Sequence, residues 1–530
     1  MNDEEPTPPV NPERATESTE EADKPQPKNS HRAQLALRSV WRRLHYRFPN
    51  WVPLPHRGDR EYLRRRDIED NLKSRIPPDE HLRQIALWAV EIFGPAEADR
   101  LHSALTKLGW NEDRLFGFNA DPGSWLSEQR KYGTEGSLNL GVIERPGKSR
   151  FLLRGRHAPL PDAVDYAHGW LYQLSPSVTA VVLCFAMKES ATVAYEAEIN
   201  RDRKTTHEPL KGGYRSYNVE HLKRRSIEFV RKEARAMVAD WFTIHLPGLF
   251  SLATDGNRIP TAELLTTKEQ QLFDDERTPV DPHWTRLATP LGIREVWTLK
   301  SSDAIRLCWP GFEDDLRFHG VIHLRTARLS TEDLLHRGNH GDASYVSLVD
   351  DHLRGVLVHF AAIAALREVT RRLRLTPSAL AADTTSRRGT VRCLEQIRLF
   401  FDRSVGIPAF TSELAAGSEH VHSYKWNCSE FYTTPWHKDE KPSLMSETLR
   451  ARTHFFAIRA QGLEKETRQL LEQLSAILST RENIRTQTRM ELVTIGAAIV
   501  SIASLVVAVM SVDRFATYVN KQIERIYSSK

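Results

Sequence analysis

Imidazole and thiolate are the usual protein ligands of zinc, and the segment His420-Val421-His422, followed by Cys428 and His437, supplies both. Its spacing matches no closed four-ligand site, so His420, His422, Cys428 and His437 stand only as metal candidates, and no cofactor is expected. His319 and His323 would share one face of a strand, but no third ligand accompanies them. Asp350-Asp351-His352 places two carboxylates beside an imidazole, the groups that general acid–base catalysis uses. Adjacent helical positions point in different directions, so these three are not expected to converge. The helix N-terminus also favours acidic residues by electrostatics alone.

Gly141 to Ser149 (GVIERPGKS) looks like a phosphate loop until it is counted, because five residues rather than four separate Gly141 from Gly147. It also leads toward strand pattern, not toward the helix whose N-terminus would hold phosphate. A Gly-x-Ser-x-Gly elbow, a His-Glu-x-x-His helix and a Gly-x-Gly-x-x-Gly turn are all absent from the sequence. No catalytic residue is therefore assigned. The basic triplets Arg64-Arg65-Arg66 and Lys223-Arg224-Arg225 have acidic neighbours and read as solvated helix faces, so nucleic acid is not an expected partner.

These residues need a scaffold, and the chain is long enough for two or three domains: 530 residues, with 74 Lys and Arg against 69 Asp and Glu. The four cysteines are dispersed and form no Cys-x-x-Cys unit, which argues against a disulfide framework and for a reducing compartment. Residues 1–30 hold eight acidic and three basic residues with six prolines, a composition that reads as a disordered acidic tail rather than an export signal. The formal charge of +5 is then −5 in this tail and +10 in the remainder. Arginine supplies 55 of the 74 basic residues (19 are Lys), a hint of a GC-rich bacterial source.

From His31, Leu35, Leu37, Val40, Trp41, Leu44 and Phe48 interleave with arginines in a basic amphipathic helix, either packed on the body or lying on a membrane surface. Helical spacing recurs over Asp79–Phe93 and Pro95–Leu108. Leu138–Val142 and Phe151–Leu153 flank the turn Arg145-Pro146-Gly147-Lys148 as a hairpin, and Val178–Met187 reads as a buried strand. Asn218–Ile244 is helical, with further strands at 295–299, 305–309 and 320–324. Together these predict an α+β body over 31–330. A helical region, 331–443, follows: a core helix over Tyr345–Leu375 ended by Pro377, a second over Val391–Phe401, and a polar loop near 405–442.

The most regular pattern is a heptad column of Leu449, Phe456, Leu463, Leu470, Ile477 and Ile484 within a predicted stalk helix, 444–491. The companion column, Thr453, Ala460, Thr467, Leu474, Arg481 and Thr488, is mixed. Leu492–Val512 then gives 21 uncharged residues, about 31 Å of helix against a hydrocarbon core of roughly 30 Å. This predicts one transmembrane helix with a short tail at 513–530. Ala497, Ser501, Ser504, Ala508 and Ser511 line one side of it, as at close helix contacts, and predict a homo-oligomer. Basic residues flank both ends, so orientation rests on the lack of an export signal: the body is expected in the cytoplasm, at a bacterial inner membrane.

The stretch from Arg481-Glu482-Asn483-Ile484 through Val512 resembles the stalk and first span of CorA-like divalent-cation channels, over roughly the last 80 residues. Where that family has a Gly-Met-Asn loop and a second span, this chain has Ser511-Val512-Asp513-Arg514 and runs to Lys530. The resemblance implies a stalked, ring-like oligomer without the family's ion-selecting residues. The leading functional expectation is a membrane-anchored cytosolic sensor, scaffold or effector that acts through an oligomerising span, with the lipid bilayer and an unidentified cytosolic protein or ligand as partners. The alternatives are an oligomeric ion conduit and a membrane-tethered enzyme.

Overall fold

The run Arg83–Phe93 (RQIALWAVEIF), which helical spacing assigns to a helix, is a central strand of a mixed sheet, eleven-stranded among the described residues. Nearly every side chain along it is buried, so its apolar positions satisfy the helical spacing as a by-product of burial on both faces. The structure is a computed structural model that describes residues 28–48, 51–52, 57–111, 121–133, 135–147, 156–210, 213–253, 258–273, 283–289, 294–310, 319–330, 332–334, 340–383, 387–428, 430–433 and 441–527. The predicted acidic tail thus lies largely outside the described residues.

In chain order the elements are α1 (Lys28–Arg47), α2 (Arg57–Lys73), β1 (Arg83–Phe93), α3 (Ala98–Lys107), α4 (Pro122–Tyr132), β2 (Gly136–Glu144), β3 (Arg156–His157), β4 (Val164–Ser175), β5 (Val178–Met187), α5 (Glu189–Thr192), α6 (Ala194–Asn200), β6 (Thr206–Leu210), β7 (Gly213–Tyr217), α7 (Val219–His245), β8 (Thr261–Thr267), α8 (His283–Ala288), β9 (Arg294–Leu299), β10 (Ile305–Pro310), β11 (His319–Arg325), α9 (Asp342–Asp383), α10 (Arg387–Ser404), α11 (Ile407–Glu419), α12 (Val421–Cys428), β12 (Phe431–Thr433), β13 (Ser443–Leu444) and α13 (Met445–Tyr527). By contact the chain divides into two units, residues 1–71 with 202–222, and residues 72–201 with 223–530. In the smaller unit β6 and β7 form an antiparallel hairpin against which α1 rests. There Asp67 accepts hydrogen bonds from the backbone and hydroxyl of Thr205.

The larger unit is built on the sheet, in the order β13-β12-β9-β10-β11-β8-β1-β5-β4-β2-β3. The sheet is mixed, with β11 parallel to β8, β3 parallel to β2 and the other neighbours antiparallel. The α+β expectation stands, as do the strands at β5, β9, β10 and β11 and the helix α7. The predicted hairpin does not form as drawn: Phe151 and Leu153 fall outside the described residues, and β2 pairs with β4, Val142 opposite His168. Pro377 does not end α9, which continues to Asp383 with Leu373 and Leu380 buried on either side of it. Packing offsets the roughly 3 kcal/mol that an interior proline costs.

The polar loop expected at 405–442 is mostly helix. Phe410, Thr411, Leu414, Ala415 and Ser418 recur at helical spacing as the buried face of α11. After α12, Phe431 and Tyr432 return to the sheet and pair with Leu299 and Thr298 of β9. One face of the sheet is covered by α9, over which α10, α11, α12 and the start of α13 form a further layer. The other face packs on α7, where Phe185 of β5 meets Trp241 and Phe242 at ring-centroid distances of 5.6 and 6.5 Å. Past α7 the chain crosses β1 so closely that Gly248 is required. A Cβ there would stand 2.6 Å from Glu91 Cγ and 2.7 Å from the Ile92 carbonyl oxygen.

Candidate functional site

The predicted stalk and span are not separate elements: α13 is one uninterrupted helix of 83 residues. Its first part is held in the helical layer by a seam of Thr453, Ala457, Ala460, Glu464, Thr467, Leu471 and Leu478, all buried. From Thr453 to Leu471 these alternate by four and three residues, and Leu478 follows one heptad on, the spacing of a helix seam that faces a neighbour. Small residues at 457 and 460 let α13 approach α9 and α11 closely, and Leu471 and Leu478 close a separate cluster with Leu380, Cys393 and Ile397. The predicted heptad column is displaced from this seam. Leu449 is buried, Phe456 and Leu463 are half-buried, and Leu470, Ile477 and Ile484 are exposed. Of the mixed column, Thr453, Ala460 and Thr467 are buried against the body, Leu474 is half-buried, and Arg481 and Thr488 are exposed; the covered part has small side chains, as a seam against tightly packed helices requires.

Beyond Arg485 every described side chain of α13 up to Ile526 is exposed. This is the one helix among the described residues that is long and apolar enough to cross a membrane, and none of its most apolar window is buried. Ala497, Ser501, Ser504, Ala508 and Ser511 are all exposed. The hydroxyls of Thr494, Ser504 and Ser511 donate to the carbonyls of Met490, Val500 and Ala508 at 2.7, 2.8 and 2.7 Å, so these polar groups are satisfied within the helix itself.

Of the four metal candidates, two have side chains among the described residues. His420 is exposed at the end of α11, while Cys428 is buried and its thiol is pushed well up by that burial. The His422 side chain and His437 lie outside the described residues. Among the described residues no three ligand-type side chains are placed to hold a metal ion. His319 and His323 are buried and bonded to Thr261 and Thr267, each at 2.8 Å. Asp350, Asp351 and His352 diverge as their adjacency predicts: Asp351 pairs with Arg354 at 2.6 Å and His352 with Glu430 at 2.5 Å.

Asp350 turns the other way and finds partners that lie far off in sequence. A register row across the sheet, Val142–His168–Cys184–Trp88–Ala262, faces α9. Asp350 spans it, accepting from Trp88 Nε1 at 2.8 Å and lying 3.1 Å from His168 Nδ1. His168 Nε2 in turn lies 3.1 Å from Asn139 Oδ1, whose orientation is set by a 2.7 Å bond from the Gly141 backbone N–H. Both ring nitrogens of His168 therefore face oxygens. Arg354 stacks over Trp170 at 4.0 Å and stands 3.7 Å from Asp350. Cys184 lies in the row beneath, but burial raises its thiol far above the range in which it would act as a nucleophile. Burial likewise raises the Tyr166 and Tyr172 phenols, which stay neutral.

His168, Asn139, Arg354 and Trp170 were not singled out from the sequence. A signal was present in β4, where Tyr166, His168, Trp170 and Tyr172 alternate and so occupy one face of the strand. With this geometry in view, comparison gives no guide to function: no known family, no curated protein and no solved structure matches the chain.

Proposed function

We propose that this protein is a membrane-anchored sensor or scaffold, in which the sheet body is coupled to the bilayer by α13 and self-associates through its span. The observation that carries this reading is the continuity of α13, one helix whose seam is part of the body's core and whose later stretch Leu492–Val512 is bare and uncharged. A flexible linker would let the body drift, whereas an unbroken helix transmits rotation and tilt from the layer of α9 and α11 to the span. Between Leu478, the last buried residue among those described, and Leu492 lie 13 residues, about 20 Å of helix exposed except at half-buried Glu482 and Arg485, which would hold the core clear of the headgroups. The Asp350–His168 cluster, on the body's partly exposed edge, is the place where a soluble signal would be read. The small-residue stripe supports association within the bilayer, because it lets helix backbones approach and its hydroxyls need no outside partner.

Alkaline carbonate extraction of cell membranes tests the anchor: the full chain should stay in the pellet, and a chain ending at Arg489 should appear in the supernatant with unchanged circular dichroism. Release of the full chain by carbonate defeats the proposal. Crosslinking in detergent tests self-association, which Ala497→Leu with Ser501→Leu should abolish. A monomer in both cases removes that half of the reading.

A further inference from the structure

We infer that α1 is a second, peripheral membrane contact: an interfacial helix that lies on a bilayer containing anionic lipid. The candidate surface is apolar and open. Leu37, Val40, Phe48 and Trp51 are 70%, 56%, 49% and 87% exposed, and Trp41 and Leu44 are also exposed. Residues 37, 40, 41, 44 and 48 follow the spacing of one helix face, so this is a continuous stripe rather than scattered apolar positions. Among the described side chains of α1 only His45 is buried, against Val52 and the His207 ring, so among the described residues the β6–β7 hairpin leaves Leu37, Val40, Leu44 and Phe48 open.

Charge selects the occupant. α1 contains no acidic residue. At about 100° per residue Arg38 and Arg42 fall to one side of the stripe, and Arg43 and Arg47 to the other. All four are exposed; Arg42 stands 3.7 Å from Asp59 across a half-exposed gap, as a weak surface pair. A helix with a bulky apolar stripe, a tryptophan on it and arginines along both margins matches the layered chemistry of a bilayer surface. Acyl chains take the stripe, and anionic headgroups take the guanidinium groups, which reach them on long stems. Pairing α1 with the α1 of a second copy would bring arginines against arginines. This contact deepens the membrane reading given above but does not depend on the span, because it is made by a different unit of the chain.

The test uses the full chain carrying Val40→Cys and a nitroxide label. The four native cysteines are buried, so the label reports position 40. The protein is reconstituted into vesicles of phosphatidylcholine alone or mixed with phosphatidylglycerol, and label depth is read from its collisions with lipid-soluble oxygen and with a water-soluble nickel chelate. In the anionic vesicles the label should become accessible to oxygen and shielded from nickel. In neutral vesicles, or in high salt, it should stay in water. Arg38→Gln, Arg43→Gln and Arg47→Gln together should lower the inserted-to-free ratio on the order of a hundredfold, at about 1 kcal/mol per basic residue near an anionic surface. A label open to nickel in the anionic vesicles overturns the inference. A label shielded equally in neutral vesicles and in the triple variant does so as well, since the cover is then protein. Flotation after carbonate treatment reports the span separately, so failure of the anchor and failure of α1 are told apart.

Discussion

Two carboxylates sit on opposite faces of the same sheet and meet opposite fates. Glu263, on the α7 face, interrupts an apolar register row of Ala167, Phe185, Leu87, Val321 and Cys308. It is completely enclosed, accepting from Arg231 Nε and Gln84 Nε2 at 2.7 Å each and from the Tyr195 hydroxyl at 2.5 Å. Burial works against its charge, but Arg231 and the surrounding donors outweigh that and hold the carboxyl well below its usual range. Asp350, on the α9 face, is as deeply placed itself but hands its contacts outward to His168 and Arg354, both partly exposed. In the first cluster every group that touches the carboxylate is itself buried, and only Arg231 reaches on to half-buried Glu228, at 2.6 Å. The second connects the core to solvent, and so a change outside can reach α9.

The largest expected effect is on the closed side. Arg231→Met leaves Glu263 charged, buried and without its cation, and should cost about 3–5 kcal/mol in denaturant unfolding. Arg231→Met combined with Glu263→Leu should recover most of that loss, because no orphaned charge remains. If the double variant is no better than the single, packing rather than charge is what Arg231 supplies.

Acid should separate the faces next. His359, on the side of α9 that meets α12, is stacked on Tyr424 at 4.1 Å, and burial lowers its pKa from 6.5 to about 4. The folded state then binds fewer protons than the unfolded state between these values. Stability is therefore full above pH 6.5 and falls as the pH drops toward 4, by about 3 kcal/mol at most for this residue. His359→Phe should flatten that part of the profile, whereas the loss due to Glu263 begins only below the ordinary glutamate range, as protonation releases Arg231. Urea unfolding across this pH range measures both.

Asp350→Asn should cost less, about 1–2 kcal/mol, since the amide oxygen can still accept from Trp88 and only the charge-assisted contacts to His168 and Arg354 weaken. Hydrogen exchange should rise along the middle of α9 and in β4 but not in α7, which would show that the two faces are energetically separate.

The clusters differ in how well the sequence announces them. β5, α7 and the bare end of α13 are legible because burial on both faces, on one face and on neither each leave a distinct hydropathy pattern. Asp350 with His168 is not, because 182 residues separate them and only the sheet register joins them. The seam of α13 was missed for a related reason: Thr453, Ala457, Ala460 and Thr467 look unremarkable until the space between α9 and α11 is known. β1 was misread as helix because a strand buried on both faces loses the alternation that identifies strands.

The smallest effect should come from the outermost member of the open cluster. His168→Leu removes one bond from Asp350 Oδ2 and one to Asn139, both at the sheet's partly solvated edge, and Arg354 remains 3.7 Å from Asp350 to share its charge. Water can take the place of the lost ring nitrogens, so the cost should be about 1 kcal/mol or less. The equivalent cut on the closed side, His319→Leu, removes a bond to buried Thr261 where no water can enter, and should cost more. Thermal unfolding of the two variants side by side decides this. If His168→Leu proves the more destabilising, the α9 cluster is a part of the core like the other one, and a signal arriving at the protein's surface must be read elsewhere.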